Sequence, residues 1–176
     1  DVVGIREKVY SLIRFSDAPS ILDIGCGNGS DLIRLGEQCS KNSRLTGIDS
    51  SAKAVEIAAE KIRNDPRFTL VCKDVSTGLP FDDGSFDIVY SMNLLECVPN
   101  RDALLTEVYR VLRPSGQVIF GHWDWDTQVI NGTDKQLIRQ FVAAFSDWKQ
   151  GWMQECDGWM GRRMAGTFQK HGGFSG

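Results

Sequence analysis

Ser20-Ile-Leu-Asp-Ile-Gly-Cys-Gly-Asn-Gly-Ser30 is a short apolar run that carries one acid, Asp23, and passes straight into Gly25, Gly27 and Gly29. It reads as strand, glycine turn and helix start. Glycine has no Cβ, so the backbone at such a turn bends sharply or closes on a ligand. The stretch Asp31-Leu-Ile-Arg-Leu beyond it opens a helix whose free N–H groups face the same spot, the arrangement that holds nucleotide cofactors in open α/β sheets. Three glycines alone only make turns. The context adds weight, because a second acidic strand end, Asp49, follows about 20 residues on, where a ribose hydroxyl pair is held in such sites.

Outward from this stretch the chain alternates strand and helix. Residues 44–49 read as a second strand and 51–63 as an Ala-rich helix with Ser50 or Ser51 as N-cap. Asp65-Pro66 breaks the chain, 68–73 is a third strand and 86–91 a fourth, with turn residues 82–85 between them. A helix over 101–112 turns Leu104, Leu105, Val108 and Val111 inward. Arg113-Pro-Ser-Gly116 ends it and turns the chain into a fifth strand, 117–122. At the front, Val2, Ile5, Val9, Leu12 and Ile13 fall on one helical face. A start on Asp1 reads as a chain trimmed at the front. No repeat or low-complexity segment appears.

Strands too apolar to face water on one side, alternating with helices, imply a doubly wound α/β fold: a Rossmann-like, mostly parallel sheet flanked by helices. Ligands bind beyond the carboxyl ends of such strands. That rule gathers Gly25 to Gly29, Asp49, Asp74, Ser91 to Asn93 and His122 to Asp126 around one crevice.

The 176 residues, 41% hydrophobic and 24% charged, fit one globular domain spanning 1–176. No run of about 18 apolar residues offers a membrane span and no signal segment opens the chain, so a cytoplasmic protein is expected. Cys26, Cys39, Cys72, Cys97 and Cys156 are odd in number and never C-x-x-C, which argues for reduced thiols and against a disulfide framework or a metal site. A net charge of −3 with no basic cluster leaves no electrostatic footprint for nucleic acid. Oligomeric state is not legible.

The motifs between Ser20 and His122 resemble the class I S-adenosylmethionine-dependent methyltransferases, nearest to the small-molecule group that includes quinone-biosynthesis enzymes. Six carry the resemblance in register: Leu22-Asp-Ile-Gly-Cys-Gly-Asn-Gly29, Gly47-Ile-Asp-Ser-Ser51, Lys73-Asp74 with Leu79-Pro-Phe81, Phe86-Asp-Ile-Val89, Asn93 to Pro99, and Glu107-Val-Tyr-Arg-Val-Leu-Arg-Pro-Ser-Gly116. The resemblance implies S-adenosyl-L-methionine as cofactor, with Asp23 and the turn of Gly25, Cys26, Gly27 and Gly29 on its methionine part. It implies Asp49 on both ribose hydroxyls, and a carboxylate suits a vicinal diol because each oxygen accepts. Asp74 would take the adenine amino group, with Val75, Ser50 and Ser51 beside the ring, and Ser91 and Asn93 would lie near the methionine amino and carboxylate groups. Each acid has a plainer reading: Asp23 satisfying turn N–H groups, Asp49 capping the next helix, Asp74 a solvated loop acid. Cys26 reads as packing in the turn, and Asp87 as structural.

The chain departs from the family where relatives often carry His after Glu; here it reads Glu96-Cys97-Val98. The family's sheet usually has seven strands, and nothing after His122 reads as a strand until 173–175, so the last strands are expected to be absent. Residues 1–122 then form the cofactor core and 123–176 a helical, substrate-side segment that reads as truncated. His122, at a strand end, is the best-placed candidate base, with a backbone-bonded histidine as its alternative. Trp123, Asp124 and Trp125 are candidates for substrate contact, or else a packed loop with surface acids. The helix 133–149, with Leu137, Ile138, Phe141, Val142, Phe145 and Trp148 on one face, is expected to cover the sheet, with lining a substrate pocket as the alternative. Residues 151–161 read as a lid over an apolar pocket or as a poorly ordered stretch, and Arg162 and Arg163 as helix-surface residues or anion ligands.

The function implied is methyl transfer to an N, O or C atom of a small molecule. A noncatalytic cofactor-binding module or partner subunit is the alternative. A nicotinamide oxidoreductase fits poorly, since Ser30 stands where that fingerprint wants glycine.

Overall fold

The computed structural model describes residues 2–174, with side chains from residue 4 onward; the inward face expected for Val2 lies outside the described side chains. The elements are α1 (Val2–Tyr10), β1 (Ser20–Ile24), α2 (Ser30–Gln38), β2 (Arg44–Asp49), α3 (Ala52–Ile62), β3 (Phe68–Cys72), β4 (Phe86–Met92), α4 (Arg101–Val111), β5 (Leu112–Gly121), α5 (Lys135–Ser146) and α6 (Met160–His171). Five strands form one sheet in the order β3-β2-β1-β4-β5, and all four pairings are parallel. The order reverses direction at β1, so the crevice beyond the ends of β1 and β4 is the switch point where ligands bind in such sheets. Gly173 and Phe174 form no strand, and Ser175 lies outside the described residues.

Strand alternation sorts β1 and β4 into two cores, one on each face of the sheet. Leu22, Ile24, Ile48, Phe86 and Val89 meet Leu104, Val108 and Val111 of α4 and Met160 of α6. Ile21, Leu45, Ile88 and Tyr90 meet Tyr10 of α1 and Leu32 and Leu35 of α2. All five β1 residues are buried, as expected of a central parallel strand. Gly47 lets the glycine turn and α2 approach β2: a Cβ there would stand 2.8 Å from Cys26 Sγ and 2.9 Å from Leu32 Cδ2. Cys26 is therefore packing, and its thiol, pushed up to about 12 by burial first and the nearby acids second, stays protonated.

One turn in the sequence reading is corrected. Arg113 to Gly116 do not separate helix from strand; β5 already begins at Leu112, opposite Phe86, and the four residues bulge before Gln117 pairs with Ile88. Ser115 takes φ 65° in the bulge. Asp87 explains why the bulge is stable, because its Oδ2 accepts Arg113 Nη1 at 2.7 Å and Ser20 N–H at 2.8 Å, tying β5, β4 and β1 together.

Glu107 and Arg110 of α4 clamp the loop before β4. Glu107 Oε2 accepts Leu79 N–H at 2.9 Å and Arg110 Nη2 at 2.7 Å, while Arg110 donates to the carbonyls of Leu79 and Phe81. The Arg110 bonds, ahead of the Leu79 bond, hold the Glu107 carboxyl at about 2. A folded value below the unfolded one adds stability above pH of about 4.5 that is lost as pH falls toward 2. Glu107→Gln should lower stability by about 1.5–3 kcal/mol at pH 7 and flatten acid unfolding over that window, read by urea titration.

The second correction concerns α5, which does not cover the sheet. It packs on the turn Trp125–Thr127, burying Val142 and Ser146, while Leu137 (62%) and Phe141 (55%) stay exposed. The sequence face was real, but only part of it meets the protein: Val142 is buried, Ile138 half-buried, and Phe145 touches Trp125. Among the described residues no helix is long and apolar enough to cross a membrane.

Candidate cofactor and active site

The glycine turn after β1 is built as its spacing demands. Gly25, Gly27 and Gly29 all have positive φ (75°, 51° and 75°), which L side chains rarely adopt. Gly25 and Cys26 donate their N–H groups to Ile48 O at 2.8 and 3.1 Å, seating the turn on the end of β2. Asp49 closes it: Oδ2 accepts Gly27 N–H at 2.8 Å and Oδ1 accepts Ser51 N–H at 2.8 Å. Each oxygen keeps a lone pair for a further donor. Ser51 is the N-cap of α3, its Oγ accepting Ala54 N–H at 3.2 Å.

Asp23, two residues before Gly25, is 2% exposed, and its Oδ2 finds no hydrogen-bond partner among the described residues. Burial first, then Asp31 and Asp49, push its carboxyl well above the usual range, with Arg6 opposing. It does not satisfy the turn. The neighbouring Asp31 is committed instead to Arg6 and Tyr10 of α1, which brings the first helix down onto the start of α2.

One cavity of about 580 Å³ opens at the strand ends. Gly25, Asp49, Ser50, Ser51, Asp74, Val75 and Ser76 line one side, and Leu94, Cys97, Val98 and Pro99 line another. Asp74 Oδ1 accepts Ser76 N–H at 2.8 Å, and this bond first of all holds its carboxyl below the usual range. The structure thus brings the expected ribose and adenine residues and the first glycine of the turn to a single space, while Asp23, Cys26, Gly27, Gly29, Ser91, Asn93 and His122 lie outside its lining.

At the ends of β4 and β5 the picture is more varied. Ser91 is buried and its hydroxyl donates to Ile24 O at 2.7 Å, so it braces β1. Asn93, at φ 57°, accepts Trp123 N–H at 3.0 Å on Oδ1, leaving its NH₂ end to donate. His122 is held at both ring nitrogens: Nδ1 lies 2.7 Å from Trp123 O, and Nε2 accepts Glu96 N–H at 3.4 Å. Burial lowers its pKa, which keeps the ring neutral with the proton on Nδ1. Glu96 is 4% exposed, burial raises its pKa, and its Oε2 accepts Trp125 Nε1 at 2.5 Å.

Trp123 and Trp125 stand 6.3 Å apart, and Trp125 meets Phe145 of α5 edge-on at 5.7 Å. An aromatic wall follows β5. Asp124 is not free to face a cation, because Arg162 holds both its oxygens at 2.5 and 2.6 Å. Arg163 pairs with Asp157, and both arginines stack on Trp159, so neither is left over for a substrate anion.

A family model described as a methyltransferase domain matches residues 21–116, from the glycine turn through the β5 bulge. The chain belongs to the methyltransferase-domain family.

Relatives of this methyltransferase domain include an uncharacterized 37.1 kDa protein in transposon TN4556 of Streptomyces fradiae, 38% identical over 73% of this chain and 37% of that protein. A demethylmenaquinone methyltransferase of Lactobacillus johnsonii is 34% identical over 65% of this chain and 48% of its own. A 27-O-demethylrifamycin SV methyltransferase of Amycolatopsis mediterranei is 33% identical over 66% and 43%. The chain thus spans between about a third and a half of the length of these relatives. Among solved structures, the [4+2]-cyclase SpnF matches with TM-score 0.60 at 29% identity over 65% of this chain and 42% of its own. YcgJ of Bacillus subtilis matches with TM-score 0.73 at 16% identity over 96% and 68%, a likeness of fold.

Reasoning from sequence missed part of the cavity of this methyltransferase domain. Leu94, Cys97, Val98 and Pro99 belong to a motif already singled out, and their position after a strand end was the available signal. Trp152 and Gln154, also in the lining, fall in the 151–161 stretch read as a lid or a poorly ordered segment, but nothing local singled out these two residues, because they reach the cavity from about 80 residues beyond Asp74 along the chain.

Proposed function

We propose that this chain carries an S-adenosylmethionine-dependent methyltransferase site acting on a small molecule. The observation that carries the reading is that Gly25, Asp49 and Asp74, from three strand ends, line one cavity. The residues fit the cofactor: Asp49 has lone pairs for a diol and Asp74 an accepting oxygen for an amine, and behind the lining the buried Asp23 Oδ2, unpartnered among the described residues, would suit a cation such as the methionine ammonium. A Cβ on Gly25 would stand 3.1 Å from Leu94 Cδ1, so a side chain there would crowd the cavity mouth.

When bound, the cofactor supplies a methyl group already activated by its sulfonium. The work left to the chain is to hold, align and exclude water. In this reading Ser50, Ser51 and Val75 border the adenine, and the Asn93 NH₂ donates to the methionine carboxylate. Ser91 acts through the β1 backbone that it braces. Trp123 and Trp125 follow β5 outside the cavity lining, and as an acceptor-side pair they would suit a flat, ring-bearing molecule better than a small ion. The relatives named for a quinone and a rifamycin point the same way. His122, neutral and bridging Trp123 and Glu96, holds the strand end in place and takes a proton only from a donor that displaces the 3.4 Å contact at Nε2.

Calorimetric titration with S-adenosylhomocysteine tests the reading, and micromolar binding is expected. Transfer of labelled methyl from S-adenosylmethionine to quinol and phenolic acceptors then separates an enzyme from a noncatalytic binding module. Absence of binding by the folded chain would remove the proposal.

A further inference from the structure

The segment between α5 and α6 contributes Trp152 and Gln154 to the cavity lining and is hydrogen-bonded to two other lining residues, Asp74 and Cys97. Gln154 Nε2 donates to Asp74 Oδ2 at 3.0 Å, after β3, and Glu155 N–H donates to Cys97 O at 3.4 Å, after β4. Lys149 Nζ secures the segment by donating to Gln154 O at 2.6 Å. Trp152 lines the cavity, its Nε1 held by Gln150 Oε1 at 2.8 Å, yet it is 67% exposed. An indole that borders a cavity while burying little of itself offers unspent apolar surface to a flat ring. The 580 Å³ remain with this segment in place, within the size range of small-ligand sites, so a ligand fits beneath it.

We propose that residues 148–159 are a roof over the cofactor, with Trp152 covering the adenine ring and Gln154 latching the roof to Asp74. The proposal rests on reading the cavity as the cofactor site. It adds two residues from outside the strand-end motifs to cofactor binding. Gln154 Oε1 has no partner among the hydrogen bonds of the described residues, and it sits on the same carboxamide that reaches Asp74. That oxygen can accept from the second hydrogen of an adenine amine while Asp74 accepts from the first. A roof tied at both Asp74 and Cys97 couples entry and release of the cofactor to opening of the latch.

The test is S-adenosylhomocysteine binding to the wild-type chain and to Trp152→Ala, Trp152→Phe and Gln154→Leu. Loss of a ring stacked on a base should raise Kd about 5-fold to 150-fold in Trp152→Ala, and Phe should restore most of it. Gln154→Leu should speed ligand dissociation several-fold. Amide hydrogen exchange over 148–159 should slow when ligand binds. Unchanged thermal unfolding of the free variants, expected for so exposed a tryptophan, separates a binding role from a folding one. Trp152→Ala binding within twofold of wild type, or exchange over 148–159 that ignores the ligand, would overturn the roof while leaving the cofactor reading intact. Failure of the wild type to bind overturns both.

Discussion

Asp49→Ala should weaken S-adenosylhomocysteine binding by 100-fold or more, with the fold retained. Two charge-assisted hydrogen bonds to a ribose diol contribute about 1.5–3 kcal/mol each, and about 3–6 kcal/mol is two to four decades in Kd. The same substitution frees Gly27 N–H and Ser51 N–H, which lose their carboxylate partner. Asp49 is only half-buried, so water reaches the freed groups and the stability cost stays near 1 kcal/mol. Asp49→Asn keeps one accepting oxygen and should fall between. Calorimetry beside urea unfolding separates the two effects. A Kd within tenfold of wild type would show that Asp49 only organises the turn.

The second large effect is at Asp23, where affinity and stability should move in opposite directions. Its folded pKa is raised, so the stability it confers is complete below the unfolded value of about 3.9 and is lost as pH climbs through the folded one. Asn reproduces the neutral form at every pH. Asp23→Asn should therefore stabilise the free protein, by an amount that grows from pH 4 upward, and should weaken cofactor binding about 10-fold to 100-fold through loss of one charge-assisted bond. An incoming ammonium favours the carboxylate, so binding to the wild type should release a proton and tighten as pH rises. Titrations in buffers of different ionisation enthalpy count that proton. Equal proton release by wild type and Asp23→Asn would rule out Asp23 as its source.

The glycine turn, Asp49 and Asp74 were legible because their chemistry is local. A glycine with positive φ and an acid at a strand end are visible within a few residues of sequence. The Arg113 bulge misled because Pro and Gly look the same in a turn and in a bulge, and the difference lies in Asp87, which gathers Arg113 from another strand. Helix α5 misled for a related reason. Its periodicity reports an apolar face, whereas what that face meets depends on where the preceding turn delivers the helix. At the strand ends the sequence named Ser91 and His122, but whether a hydroxyl or ring nitrogen is free depends on partners it cannot display. Ser91 is used by Ile24 O, and His122 by Trp123 O and the Glu96 N–H.

Sequence alone determined the order of elements, the parallel sheet and which acids end which strands, because backbone sterics and hydrophobic alternation act over short separations. Tertiary structure alone decided which of those groups remain unpaired. It left Asp23 Oδ2 buried without a partner among the described residues, committed Asp124 to Arg162, and brought Trp152 and Gln154 into the cavity lining. These depend on contacts between residues far apart along the chain, and their energies are set by burial and pairing that no local pattern encodes.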